Sequence, residues 1–214
     1  MKFKVSWHDP LVLATIGSIV AIAGFPIWFA TPWLEVAGFV TGLFGVALAA
    51  KGSILNFPVG IVNVSIYAYM FFDGKLFADS GLQVVYLLLL IQGWMFWNAN
   101  SSGGEFSVGK LPARTLIWSL IATLVLAGGL IPLLKANHGS FVYADSITTA
   151  VSLMGQFFLN RKYIENWIVW ILVDAVYVPL YMAKGWTATA ILYGIFGILA
   201  IQGYFEWRKK LALT

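Results

Sequence analysis

The segment between positions 167 and 181 carries aromatic and acidic side chains whose spacing suits a ligand site. Trp167, Trp170, Asp174, Tyr177 and Tyr181 are three or four residues apart, so one face of an α-helix would present all five. Aromatic faces bind flat rings and cations, and a carboxylate can pair with a cation. Trp167, Trp170, Asp174 and Tyr177 are therefore candidate ligand contacts. In the alternative interpretation, neighbouring Asn, Tyr or Trp donors satisfy the carboxylate, or it is protonated.

Neutral polar and aromatic side chains recur at helical spacing in other segments of the chain. Amides and ring hydroxyls suit a ligand that has hydroxyl and carboxamide groups, whereas a phosphate would favour arginine or a glycine-rich loop. The further candidate contacts are Asn56, Asn63, Tyr67, Gln83, Tyr86, Trp94, Gln156 and Asn160. A lone amide such as Asn63 can instead hydrogen-bond one helix to another. We expect Trp97 and Trp207 in an aromatic belt at the membrane interface.

The composition of the chain fits a membrane protein. Of its 214 residues, 60% are hydrophobic and 10% charged, whereas a water-soluble domain carries more charge on its surface. Eight segments are apolar enough to be candidate membrane spans. They are Leu11–Ala30, Val36–Ala50, Gly52–Phe72, Ser80–Trp97, Thr115–Leu134, Ile147–Asn160, Trp167–Met182 and Trp186–Trp207. We predict an all-α polytopic membrane protein with eight transmembrane helices, in which Asp174 lies near the centre of the bilayer.

The distribution of basic residues predicts the topology. With the N-terminus inside, inner segments hold all but three of the 13 Lys and Arg residues, and outer loops hold Lys75, Lys135 and Lys184. Cytoplasmic segments carry such an excess, so both termini should be cytoplasmic. The net charge of +4 then reflects orientation in a lipid bilayer and does not indicate a nucleic-acid partner.

Several catalytic and metal-binding classes lack their residues. The chain has no cysteine, which excludes disulfides and thiolate chemistry. It has neither a GxxxxGK[ST] loop nor an HExxH motif, and Asp174 has no paired acid at its depth, so nucleotide hydrolysis, zinc catalysis and aspartyl chemistry are not expected. We predict no enzyme activity, no cofactor and no metal site.

An internal repeat divides the chain. Positions 43–97 align without a gap with positions 153–207, and the repeated residues include Ile91, Gln92, Gly93 and Trp97 with Ile201, Gln202, Gly203 and Trp207. Both copies enter the membrane from the same side, so we expect parallel repeats in a three-plus-one-plus-three core with one extra N-terminal helix. The expected parts are 1–34, 35–98, 99–140 (inner loop and linker helix), 141–208 and 209–214, the cytoplasmic tail.

The repeat also suggests where a binding site would lie. The second and sixth spans look unusually short and occupy corresponding places, which in transporters points to a binding site between the copies. The alternative is an ancestral duplication in a membrane scaffold without transport.

Residues in the two copies resemble the PnuC family of vitamin transporters, in its nicotinamide riboside branch. The resemblance rests on Leu76, Phe77, Ala78, Asp79, Gln83, Tyr86, Gly93, Trp94 and Trp97, and on Asn166, Trp167, Trp170, Asp174, Pro179, Leu180, Tyr181, Gly203, Tyr204 and Trp207. Phe77 and Gln92 stand where the family pattern has Tyr.

The resemblance implies facilitated diffusion of nicotinamide riboside across the inner membrane, a core similar to the SWEET sugar transporters, and a cytoplasmic kinase that traps the substrate. A homo-oligomer is compatible with it. The alternatives are a carrier of thiamine, riboflavin or another nucleoside, and a membrane receptor or partner subunit that does not transport.

Overall fold

The described part of the chain is helical. The computed structural model describes residues 9–28, 32–75, 77–99, 106–136, 141–183, 185 and 187–212. These residues form eight α-helices, which confirms the predicted all-α class. The helices are α1 (Pro10–Trp28), α2 (Trp33–Lys51), α3 (Asn56–Asp73), α4 (Phe77–Ala99), α5 (Ala113–Ala136), α6 (Val142–Asn160), α7 (Glu165–Ala183) and α8 (Thr187–Leu211). The predicted end at Ala30, the start at Trp186, and the motif and loop residues Leu76 and Lys184 lie outside the described residues.

The expected shortness of the second and sixth spans is wrong. Both α2 and α6 have 19 residues. The sequence suggested a short sixth span because its first turns contain Asp145 and Ser146, which lower the local hydropathy although the helix has already begun. The predicted third span began too early, since Gly52 ends α2 in the left-handed region (φ 71°) and α3 begins at Asn56.

Five of the described helices, α2, α4, α5, α7 and α8, are long and apolar enough over most of their length to cross a membrane. Helix α6 is more polar, and its polar side chains point inward. Thr148, Ser152, Gln156 and Asn160 follow one another at four-residue intervals and are all buried. Because lipid cannot hydrogen-bond to such groups, a membrane helix turns them toward its protein neighbours.

Helix bounds and helix packing follow the internal repeat. Under the shift that aligns the copies, α2, α3 and α4 fall on 143–161, 166–183 and 187–209, which nearly coincide with α6, α7 and α8. We refer to α2–α4 as the first triplet and to α6–α8 as the second triplet. Between the triplets, α2 packs on α8 and α4 on α6, whereas α5 packs on α6 and α1 on α2 and α8. Within the described residues, no Cα atom of α3 comes within 8 Å of one in α7.

One end of the bundle, which we call the basic end, holds the last turns of α2, α4, α6 and α8. Two indole hydrogen bonds join the triplets there. Trp97 of α4 donates from Nε1 to the Asn160 carbonyl at 3.0 Å, and Trp207 of α8 donates to the Ala49 carbonyl of α2 at 3.1 Å. Since Trp97 and Trp207 occupy equivalent positions in the two copies, the two bonds form a matched pair across the repeat.

The expected position of Trp97 and Trp207 in an aromatic belt is wrong. Only 1% of Trp97 and none of Trp207 is exposed, and their ring centroids are 6.3 Å apart. The indoles lie between the triplets because their buried Nε1–H groups bond carbonyls in the last turns of α6 and α2, and the Ala49 carbonyl also accepts from Gly52 N at 2.9 Å.

Two glycines at equivalent positions of the repeat let helices approach closely near this end. A Cβ atom on Gly93 would collide with Asn160 Oδ1 and the Phe57 ring, and one on Gly203 would lie 2.7 Å from the Trp167 ring. Cβ atoms do not come this close to other atoms in folded proteins, so either substitution forces a ring or a helix to shift.

Replacing Gly93 or Gly203 by Ala is expected to lower the unfolding free energy by about 1–3 kcal/mol, because overpacking must be relieved by moving rigid rings. Gly129 in α5 is the matched control, since nothing lies within 4 Å of its Cβ position. Thermal unfolding of the purified protein in detergent measures all three variants. Equal melting temperatures for Gly93→Ala, Gly203→Ala and Gly129→Ala would contradict the close approach.

Trp97→Phe is expected to lower the unfolding free energy by about 1–3 kcal/mol, because it leaves the buried Asn160 carbonyl without its indole donor. Trp207→Phe should cost less, since the Ala49 carbonyl keeps its hydrogen bond from Gly52 N. Trp94→Phe serves as the control, since Trp94 is 41% exposed and should change stability by less than about 0.5 kcal/mol. The same unfolding assay checks this. If the control loses as much stability as the two buried indoles, the bonds do not hold the triplets together.

Candidate ligand-binding site

Asp174 occupies the midpoint of α7, which runs from Glu165 to Ala183. Its side chain is only 4% exposed, and among the described residues it makes no hydrogen bond or ion pair. Helix α8 passes beside it at Gly197, where an added Cβ would lie 3.6 Å from the Asp174 Cβ. A carboxylate at the centre of a membrane helix costs at least about 2.5–3.5 kcal/mol. A cationic or hydrogen-bonding ligand would offset that cost.

A group of tyrosine rings lies next to Asp174 in the second triplet. Tyr193 of α8 contacts Tyr177 of α7 with ring centroids 4.5 Å apart and stacks on Tyr181 at 5.1 Å, with 5° between the ring planes. Tyr193 lies within electrostatic range of Asp174 and of Tyr67 in the first triplet. The rings and the carboxylate together form an electron-rich wall that suits a flat cation.

The buried polar residues of α6 continue this wall toward the basic end. Gln156 Nε2 donates to Asn160 Oδ1 at 2.9 Å, and Asn160 Nδ2 donates to the Leu89 carbonyl of α4 at 2.7 Å. These bonds fix both amides at the contact between the triplets. The buried Ser152 hydroxyl lies beside the hydroxyls of Tyr86 and Tyr177.

Two of the predicted contact residues hold the backbone in place. Asn56 starts α3 and donates from Nδ2 to the Ser53 carbonyl at 2.7 Å. Asn63 donates to the Gly38 carbonyl at 2.6 Å and to Thr41 Oγ1 at 3.0 Å, so it joins α3 to α2. In this structure the amide of Asn63 therefore hydrogen-bonds one helix to another, as the alternative interpretation proposed.

The other predicted residues differ in their surroundings. Trp167 is buried at the basic end against the Trp207 ring, with centroids 5.5 Å apart. Trp170 is half-buried and lies beside Gly155 of α6. Gln83 is half-buried in α4. Trp94 lies on the exposed surface of α4 and does not join the interior group.

The structure brings Asp174, Tyr177 and Tyr67 within electrostatic range of Tyr193, and it places Tyr86 and Tyr177 beside Ser152. Gln156 and Asn160 form a separate hydrogen-bonded pair where α6 meets α4. Helices α3, α4, α6 and α7 contain no Lys or Arg. This region combines the Asp174 carboxylate with neutral hydroxyls, amides and aromatic rings, and the Asp145 and Asp79 carboxylates lie within electrostatic range of Tyr181. The region suits a flat cation with hydroxyl groups and offers nothing to neutralise a phosphate.

The candidate contacts chosen from the sequence omitted Tyr181, Ser152 and Tyr193, which also lie in this region. Tyr181 continues the spacing of Trp170, Asp174 and Tyr177, so the pattern could have included it. Ser152 lies one turn before Gln156 on the buried face of α6. Tyr193 also had a signal, because the shift that aligns the repeat places it on Gln83 and places Phe196 on Tyr86, two of the chosen contacts.

A model of the nicotinamide mononucleotide transporter family matches residues 32–209 of the chain. The nicotinamide riboside transporter PnuC of Haemophilus influenzae is 28% identical, over 99% of this chain and 92% of its own. The PnuC protein of Escherichia coli is 26% identical, over 82% of this chain and 84% of its own. The riboflavin/roseoflavin transporter RibM of Streptomyces davaonensis is also 26% identical, with the same two coverages.

A crystal structure of the vitamin B3 transporter PnuC has the same fold. It superposes with a TM-score of 0.80 and covers 99% of this chain and 95% of its own, at 24% sequence identity. The family model spans most of the chain, from α2 to the last turns of α8. The protein therefore belongs to the nicotinamide mononucleotide transporter family.

Proposed function

We propose that the protein carries nicotinamide riboside across the cytoplasmic membrane by facilitated diffusion. The observation that carries this proposal is Asp174, a buried carboxylate at the centre of α7 with no partner in the described part of the chain. Nicotinamide riboside is a flat pyridinium cation with a carboxamide and a ribose. Its charge can pair with Asp174 while its polar groups reach the amides and hydroxyls beside it. The relatives named as nicotinamide riboside transporters support the same substrate.

The charge of the site favours the riboside over the mononucleotide. A phosphate group would approach Asp174 with like charge, and helices α3, α4, α6 and α7 provide no Lys or Arg to bind it. Like charges at short range in a membrane interior are strongly unfavourable. Phosphorylation by a cytoplasmic kinase would therefore convert the substrate into a form that this site does not carry back.

The contacts follow from the chemistry of each side chain. Tyr86, Tyr177 and Trp170 supply ring surfaces for the pyridinium. Gln83, Gln156 and Asn160 supply amides for the carboxamide and ribose, with Asp174 as the charge partner. Trp94 is too exposed in this structure to contact a substrate held between the triplets.

Transport proceeds by alternating access between two three-helix bundles, in a three-plus-one-plus-three core with α5 as the linker. The matching bounds of the two triplets and the α2–α8 and α4–α6 contacts support this arrangement, because parallel repeats are related by an axis along the membrane normal and can rock against each other. The basic end is cytoplasmic, since Lys51, Lys162 and Lys210 lie there. Both termini are then cytoplasmic as well.

A related vitamin is the second candidate substrate, because RibM of Streptomyces davaonensis is among the relatives. Riboflavin is flat but carries no positive charge, so it would leave Asp174 without a charge partner. Uptake of labelled nicotinamide riboside into proteoliposomes that contain only this protein tests the proposal, with unlabelled riboflavin, thiamine and nicotinamide mononucleotide as competitors. No uptake above empty liposomes would refute the assigned substrate, and entry of labelled riboflavin into the same liposomes would then favour the related vitamin.

Asp174→Asn is expected to reduce uptake of nicotinamide riboside at least about tenfold, the effect of losing about 1.4 kcal/mol of charge pairing. The variant should unfold at the same or a higher temperature, because a buried carboxylate without a partner is costly. Asp73→Asn is the matched control, since Asp73 is exposed at the end of α3, and it should keep wild-type uptake.

This combination separates a carrier from a scaffold. A structural role for Asp174 predicts that Asp174→Asn lowers the melting temperature and that uptake falls only in proportion to the folded protein. Unchanged uptake by a stable Asp174→Asn variant would contradict the assigned charge pairing.

A further inference from the structure

Phe106 lies between the two triplets at the basic end. Its ring centroid is 4.8 Å from that of Trp97 in the first triplet and 5.0 Å from that of Trp207 in the second. It also packs on Gly52, where an added Cβ would lie 2.6 Å from the Phe106 ring. Phe106 therefore covers the pair of indoles that join the triplets.

The neighbours of Phe106 are matched pairs of the repeat. Trp97 is equivalent to Trp207, and the same shift places Gly52 on Lys162. Gly52 and Lys162 both adopt the left-handed backbone conformation, with φ of 71° and 60°. A side chain that touches both members of two such pairs lies close to the axis that relates the triplets, where a path between them would end.

The segment that carries Phe106 is attached to the second triplet. Gly109 N donates to the Lys162 carbonyl and Ile164 N donates to the Gly109 carbonyl, each at 3.0 Å. Leu111 N donates to Glu165 Oε2 at 2.9 Å. If the triplets part at this end, these bonds keep Phe106 with the second triplet, so it must leave Gly52 and Trp97.

Two ammonium groups hold the ring from the cytoplasmic side. Lys162 Nζ lies 5.2 Å and Lys210 Nζ 4.7 Å from the Phe106 centroid. Lys162 is 8% exposed and makes no ion pair within the described residues, and burial lowers its pKa. A non-glycine residue in the left-handed region is unusual and often marks a functional position. Here it places the ammonium over Phe106 and Trp97.

We propose that Phe106 is the gate of the transport path at the basic end, a plug on the axis between the triplets that closes the route past Trp97 and Trp207. This inference rests on the proposed function for its role in transport. Its structural content, that removing the ring opens the basic end, is testable without any substrate. Phe106 acts by packing between the two triplets at this end, and it does not contact the bound substrate.

The chain has no cysteine, so one introduced cysteine reports access without background. Ser152→Cys is a conservative reporter, because it exchanges one small side chain for another and Ser152 is buried on α6 beyond Asn160 as seen from the basic end. A membrane-impermeant maleimide is applied to inverted vesicles and, separately, to intact cells. The labelling rate of Ser152→Cys then measures how often each end is open.

Adding Phe106→Ala is expected to accelerate labelling from the basic end at least about tenfold, which corresponds to about 1.4 kcal/mol lost from the closed state. Labelling from the opposite side should not accelerate. Phe106→Leu, which keeps part of the apolar volume, should give an intermediate rate. Phe205→Ala is the matched control, since Phe205 is an exposed aromatic residue near the same end of α8, and it should label at the original rate.

The outcomes separate this inference from the proposed function. Unchanged labelling of a folded Phe106→Ala variant, verified by size-exclusion profile, overturns the gate even if wild-type uptake is normal. Accelerated labelling supports the gate even if wild-type protein takes up no nicotinamide riboside, a result that would refute the carrier alone. If Phe106→Ala does not fold, Phe106→Leu decides, and a rate equal to that of the parent overturns the gate.

Discussion

The pair of indole hydrogen bonds at the basic end is the interaction on which the rest of this structure depends. Each bond crosses from the last helix of one triplet to the end of the first helix of the other, Trp97 to the Asn160 carbonyl and Trp207 to that of Ala49. Each bond satisfies a buried indole donor, which would otherwise be costly. Because the two donors are equivalent in the repeat, both contacts between the triplets are held by an indole.

The same constraint fixes the polar face of α6. This face packs against α4 at the contact that Trp97 holds, because Asn160 Nδ2 donates to the Leu89 carbonyl and Asn160 Oδ1 accepts from Gln156 Nε2. Asp174 lies at the middle of α7, beside α8. In the proposed carrier, a conformational change at the basic end would move the amides of α6, which is the coupling that alternating access needs.

The electrostatic character of the region fits a carrier that must also release its cargo. One carboxylate and several neutral donors and acceptors can recognise a cationic nucleoside without surrounding it by opposite charges. A uniporter gains nothing from very tight binding, because the substrate must leave on the other side. Because a carboxylate without a charge partner in the membrane is costly, binding of a cation beside Asp174 is favoured. The absence of Lys and Arg from α3, α4, α6 and α7 disfavours anions.

Features that depend on local periodicity could be predicted from the sequence. The eight helices follow from apolar runs, the repeat from one constant shift, and the central position of Asp174 from its place in α7. The position of a residue along a helix does not determine which neighbour its side chain contacts. Trp97 and Trp207 lie near helix ends, which predicts an aromatic belt, but in the structure they bond across the triplets. Phe106 gave no signal either, because its role arises only when distant segments pack together, whereas Tyr193 could have been chosen as the repeat partner of Gln83. The start of α6 could not be predicted from hydropathy. Asp145 and Ser146 lower the hydropathy of its first turns, although these turns are helical.

The indoles of Trp97 and Trp207 are held to join the two triplets at the basic end. This is tested most directly by measuring the distance between the triplets at that end by pulsed electron paramagnetic resonance in lipid nanodiscs. Asn98→Cys in α4 and Arg208→Cys in α8 place spin labels on exposed positions next to the two indoles. If the triplets separate at this end during transport, two distances are expected, a short one and a longer one, with populations that shift when nicotinamide riboside is added. A single distance that saturating nicotinamide riboside leaves unchanged, in protein that still binds it, would show that the triplets do not separate there.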